Sequence, residues 1–365
     1  MKTLYTLPFF LSLFLFVGCS HIITLFVAAP KAVHTQTELG KFANKYFWKQ
    51  FSNGAYDSIP TVLNLLLASS LETPNDPETM AHIGFTHLWA VSERGRLAAI
   101  TPDIIHHLTL ARDYFQRAYN LNPHDARIYG FLASMTLSEG KIMEDKQAMA
   151  KGYFMMLEAA RRYPEFNDFT IGYTFSILPA TDKTYKKAVA KMWENLDLCM
   201  CDSVSRRNPS IGPYLKQATI HGKKRVCWNV PIAPHNLEGF FLCFGDMLTK
   251  SGDTTLAVRI YQNAKLSPDY SGWAYKGILE DRIRHVAANV REFNDDKAGL
   301  KMLGQSVMSC MACHQASTPL LREPMESHLP ILLVGSGINN YMPFAQPLNT
   351  ADTIFARSAE EVHKK

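Results

Sequence analysis

The chain has 365 residues, 47% of them hydrophobic, and carries 38 Lys and Arg against 33 Asp and Glu for a formal charge of +5. That length and apolar content bury one large core or two smaller ones and exclude a wholly disordered protein. The positive charge is spread without long basic blocks, so composition provides no footprint for nucleic acid and no nucleic-acid partner is expected.

After Lys2 no charged residue appears until Lys31, and residues 4–29 are strongly apolar, broken mainly by Pro8, Ser12, the patch from Gly18 to His21, and Thr24. This reads as an export segment. Within it, Leu15-Phe16-Val17-Gly18-Cys19 resembles a bacterial lipobox, which implies a lipidated Cys19 as a new N-terminus. Two other outcomes stay open. One is an uncleaved anchor, because about 26 residues at roughly 1.5 Å each are long enough to cross a bilayer. The other is cleavage near Ala28-Ala29. All three put residues 31–365 outside the cytoplasm, and the expected location is the periplasmic side of a bacterial envelope, held to its membrane through lipidated Cys19 or the uncleaved anchor. Residues 31–77 then read as a linker with a helix.

From residue 76 onward apolar positions recur at helical steps, with Pro or Gly between segments and almost no strand-like alternation. Helices are predicted over 78–94, 102–121, 125–139, 144–162, 168–177, 183–198, 237–250, 254–266 and 272–293. The fold class is therefore mainly α, with helix pairs across 78–293 each burying a face against the next. Trp89, Tyr153 and Phe154 fit core packing, and His82, His87, His106 and His107 read as surface or cap residues rather than metal ligands.

Phe241, Phe244, Gly245, Leu248, Gly252, Ala257, Tyr261, Ala264 and Pro268 follow the spacing of the tetratricopeptide repeat, with Pro268 one residue early. The second-helix phrase recurs at Ala111, Phe115, Ala118 and Pro123, and again at Gly152, Met156, Ala159 and Pro164. Residues 238–268 thus resemble one well-formed repeat, and the resemblance extends more loosely over 78–293. It implies a helical array that presents a surface to a protein partner.

The remaining chemistry lies in cysteines. Cys199, Cys201, Cys227 and Cys243 are an even set suited to an oxidising compartment, with a bridge from Cys199 or Cys201 to Cys227 favoured over a soft-metal site and Cys243 reading as core. Cys310-Met311-Ala312-Cys313-His314 has the spacing that attaches a c-type haem. Two residues between the thiols let both sulfurs form thioethers, and the following His314 reaches the iron as an axial ligand. One covalent haem c is the expected cofactor, carried by a loop-rich segment over 294–365 into which a helix over 295–310 leads.

For the distal iron position, Met342 in Tyr341-Met342-Pro343-Phe344 resembles the Met-Pro turn of small c-type cytochromes, with Met325 and His328 as competitors. A methionine there makes an electron carrier, whereas an open position suits a sensor of a small gas or peroxide. No hydrolase, zinc-protease, phosphate-loop or dinucleotide signature is present. The function expected is an envelope-anchored monohaem cytochrome that exchanges electrons with a protein docked on the repeats. The alternatives are a haem-free interaction scaffold with a redox dithiol and a five-coordinate haem sensor.

Overall fold

The computed structural model describes residues 30–317, apart from 35, 98, 100–102, 231 and 296–300. Cys19, Met325, His328 and Met342 lie outside the described residues.

Helix starts are written into the sequence as oxygen-bearing caps. Thr37, Asp76, Asp125, Asp145, Asp182, Asn236 and Asp253 each accept a hydrogen bond from a backbone N–H in the first turn that follows. Each such cap satisfies a donor that has no intrahelical partner and is worth about 1 kcal/mol. The capped helices are α1 (Glu38–Ser52), α3 (Pro77–Ser92), α5 (Ala126–Ile142), α6 (Lys146–Arg162), α8 (Lys183–Met200), α9 (Leu237–Lys250) and α10 (Thr254–Ala264). Between and after them run α2 (Ile59–Glu72), α4 (Ile104–Leu121), α7 (Pro164–Phe175), α11 (Lys276–Arg284), α12 (Val286–Asn294) and the single turn α13 (Met311–His314). Among the described residues there is no strand.

The helices pack as consecutive pairs: α1 with α2, α3 with α4, α5 with α6, α7 with α8 and α9 with α10. This is a mainly α fold whose pairing is compatible with a helical repeat array. In the pair that carries the repeat spacing, Gly245 lies so close under the Tyr261 ring that a Cβ would clash with it, and Ala257 opposite is fully buried. Small residues let the two helices approach, and Tyr261 fills the space beside them.

Four expectations need correction. Residues 38–72 hold two helices where a linker and one helix were expected. The expected helix over 272–293 is two, parted at His285, whose backbone leaves the helical region and whose Nδ1 lies 2.8 Å from Asp281 Oδ1. Phe154 is 67% exposed on the outer face of α6 rather than in the core, while Trp89 is fully buried. His82 and His87 are buried and not surface residues. His82 Nδ1 contacts Asn44 Oδ1 and its ring stacks on Phe47 at 4.4 Å, while His87 Nδ1 lies 2.8 Å from His107 Nδ1.

The connection from α8 to α9 is long and built of short turns, among them Gly212–Gln217 and Lys223–Cys227. A Cys199–Cys227 disulfide ties it back to α8, leaving Cys201 exposed and Cys243 buried in the core as expected. For a sequence separation of 28 the chain-entropy account assigns such a bridge about 3 to 4 kcal/mol.

Candidate functional site around the Cys-x-x-Cys-His motif

The approach to the motif is not the helix expected over 295–310. The described part is a short turn, Leu303–Gln305, followed by further turns. A buried carboxylate explains the difference. Asp246 of α9 accepts hydrogen bonds from the Leu303 amide at 2.8 Å, the Tyr261 hydroxyl at 2.7 Å and Arg282 Nε at 3.1 Å. The Arg282 guanidinium also donates to the Lys301 carbonyl. Burial pushes the Asp246 carboxyl up, and Arg282 opposes that shift. Backbone groups that a helix would pair internally are spent on this pair of charges, so the chain turns here instead.

The motif itself forms one tight turn. Cys313 N–H and His314 N–H both donate to the Cys310 carbonyl, at 3.2 and 2.9 Å, which sets the two cysteines one turn apart. Four regions of the chain then grip it. Glu93, fully buried just beyond α3, accepts the Met311 amide at 2.7 Å while its other oxygen pairs with Arg96 at 2.7 Å. The Trp273 indole donates to the Ala312 carbonyl at 3.1 Å. The Asn236 amide donates to the Cys313 carbonyl at 2.7 Å, and the Ala316 amide to the Ser52 carbonyl at 2.9 Å. Gly239 on α9 lets the backbone of the motif lie directly against that helix, since a Cβ there would sit 2.7 Å from both Cys313 Cα and Sγ and 2.8 Å from the Ala312 carbonyl oxygen.

Beside the motif lies a cleft of about 180 Å³ whose lining includes Trp48, Phe51, His235, Asn236, Cys313 and His314. The His314 ring packs against Phe51 at a centroid distance of 5.1 Å. Burial depresses its imidazole to about 4 and that of His235 to about 3, so both are neutral near pH 7. Burial dominates the lowering of His235, the bond to the Asn236 carbonyl opposes it, and His314, which lines the same cleft, adds a smaller lowering. Burial raises both thiols, Cys313 up to about 12 and Cys310 further, so neither is a thiolate near neutral pH. A reactive dithiol needs the opposite shift.

Of the expected ligands, the structure thus brings Cys313 and His314 together on the cleft wall. Cys310 stands one turn earlier, partly exposed, beside Ser92 and Glu93. Four residues of the site escaped the sequence reading. Glu93, Gly239 and His235 carry no local signal, whereas Asn236 announces itself as the residue before an apolar helical run.

Among the described residues no three His, Cys, Asp or Glu side chains converge as a ligand set for a bare metal ion, and no helix is long and apolar enough to cross a membrane. Comparison with protein-family models, curated proteins and solved structures returns no match for this chain.

Proposed function

We propose that this chain is a monohaem c-type cytochrome, with Cys310 and Cys313 holding the macrocycle as thioethers and His314 as an axial iron ligand. The haem supplies a reversible one-electron couple when bound. The observation that carries the reading is the seat of the motif: every residue from Met311 to Cys313 and the following Ala316 is bonded through its backbone to a different part of the fold. Such anchoring fixes the Cys313 sulfur and the His314 imidazole on one cleft with Cys310 one turn away, the fixed spacing that a covalently held cofactor needs.

The donor set fits the group. His314 is a neutral imidazole, and a second buried, neutral imidazole, His235, lines the same cleft. The thiols are unpaired and burial raises both, which argues against a working dithiol. Cofactor pockets usually enclose about 300–1,000 Å³. Attachment would therefore require the cleft to widen, with Trp48 and Phe51 the apolar surface available to the cofactor.

The chain's own residues would set how that couple behaves. Phe51, packed on His314, and Trp48 beside it would keep water from the ligating imidazole, and the Glu93–Arg96 pair fixes the start of the motif. The helical pairs are read as tetratricopeptide-like repeats that dock a protein redox partner, on the spacing around Gly245 and Tyr261. An envelope location, anchored through Cys19 or through residues 4–29, agrees with the Cys199–Cys227 bridge, because disulfides persist in oxidising compartments.

A pyridine haemochrome spectrum of the chain matured with cytochrome c assembly factors tests the reading. One haem per chain is expected, and Cys313→Ala is expected to abolish haem staining on a denaturing gel. A colourless matured protein whose two thiols alkylate freely overturns it in favour of a haem-free scaffold.

A further inference from the structure

The ring of His235 is 4% exposed and lines the same cleft as His314. Its Nδ1 lies 3.2 Å from the carbonyl oxygen of Asn236, so a proton on Nδ1 is donated there and the lone pair falls on Nε2. Nε2 is buried and has no hydrogen-bond partner. Leaving a buried acceptor unpaired costs roughly 1–3 kcal/mol, and native interiors keep few such groups.

The ring is also held in place. Phe169 and Phe240 pack on it at centroid distances of 4.3 and 4.9 Å. The next residue, Asn236, is bonded to the motif through the Cys313 carbonyl and caps α9 by accepting the Gly239 amide at 2.6 Å. An imidazole fixed on one nitrogen by a backbone carbonyl and bare on the other has the form of a metal-ligating histidine.

We infer that His235, and not Met342, would be the second protein ligand of the iron beside His314. The inference rests on the c-type haem reading. It assigns a second ligand from the chain segment before α9 rather than from the residues that follow the motif. With both axial positions filled from rigid protein, the iron is low-spin and closed to small gases. Two imidazoles also give a lower reduction potential than an imidazole and a thioether, since methionine ligation raises it.

The test uses full-length matured protein in which the pyridine haemochrome spectrum has first shown one haem, so failure of the cofactor reading is seen separately. Electron paramagnetic resonance of the ferric protein is expected to give the low-spin signal of two histidines, and carbon monoxide is expected to leave the ferrous spectrum unchanged. His235→Ala should become high-spin and bind carbon monoxide, and added imidazole should restore the low-spin spectrum. His235→Met should gain a sulfur-to-iron charge-transfer band and a higher midpoint potential, and Met342→Ala should change neither. Circular dichroism of each variant checks that the helices persist. A sulfur-to-iron band in the unaltered protein that disappears in Met342→Ala overturns the assignment. So does a low-spin signal that survives in His235→Ala without imidazole, or carbon monoxide binding by the unaltered ferrous protein.

Discussion

The two walls of the cleft are built on different physics. The wall from α1 is aromatic: Trp48 and Phe51 line it, and behind them Phe47 and His82 stack in the core. The wall at the start of α9 is polar: Asn229 donates to Glu238 at 3.1 Å and Asp269 at 2.9 Å, its carbonyl accepts the Leu237 amide at 2.7 Å, and Asn236 bonds the motif. The first wall holds its shape by burial, which depends on volume and tolerates small shifts. The second holds it by directed bonds, which position atoms to within a few tenths of an ångström.

The largest expected effect falls on the aromatic wall. Phe51 is nearly buried and touches both Trp89 and His314, so Phe51→Ala should lower stability by about 3–5 kcal/mol in urea denaturation of the haem-free protein. On the polar wall, Gly239→Ala forces a Cβ against Cys313 and is expected to cost about 1–3 kcal/mol. Its effect on haem attachment should exceed its effect on stability, because the clash is with the motif itself. If Gly239→Ala proves the more destabilising of the two, the apolar wall is not the main support of the fold here.

Acid separates the walls more finely. His235 and His314 have depressed folded-state values of about 3 and about 4. Their contribution to stability is complete above the ordinary histidine value near 6.5 and is lost as pH falls from there toward 4, where only the unfolded chain takes up protons. Each should add about 1.4 kcal/mol of lost stability per pH unit in that window. His82 and His87, lowered by burial to about 3, add to the same loss, so denaturation of the haem-free protein between pH 6.5 and 4 should show the summed slope, and His235→Phe should reduce it by one histidine's share. An unchanged slope in that variant means that His235 is protonated in the folded state.

Helix positions from 77 to 264 were legible because their signals are local. Asp and Asn caps, prolines at first turns and apolar steps place most of these helices within a few residues of where they lie, and 237–250 coincides end to end. The break between α1 and α2 is marked by Asn53 at the C-cap, Gly54 at φ +67° and a Pro in the first turn of α2, a stop-and-start signal that a linker with one helix leaves unused. The helix expected over 295–310 fails for a different reason. Leu300, Leu303 and Val307 make a plausible stripe, but the Leu303 amide is taken by Asp246, more than fifty positions away in sequence. The repeat spacing at Gly245 and Tyr261 corresponds to a real close approach. His82 and His87 were misjudged because a histidine's burial depends on neighbours such as Asn44 and His107 that local sequence does not reveal.

By itself the sequence determined the mainly helical character, the Cys-x-x-Cys-His spacing that confines two thiols and an imidazole to one turn, and the candidacy of Cys227 for a bridge. Those properties depend on bonds and periodicities within a few residues. Only the tertiary structure decided that Cys199 rather than Cys201 joins Cys227, that Glu93, Trp273, Asn236 and Ser52 grip the motif, and that His235 and His314 line one cleft. Each of these brings together groups far apart in the chain, and their meeting is set by how helix pairs bury their faces, a quantity that no short window of residues contains.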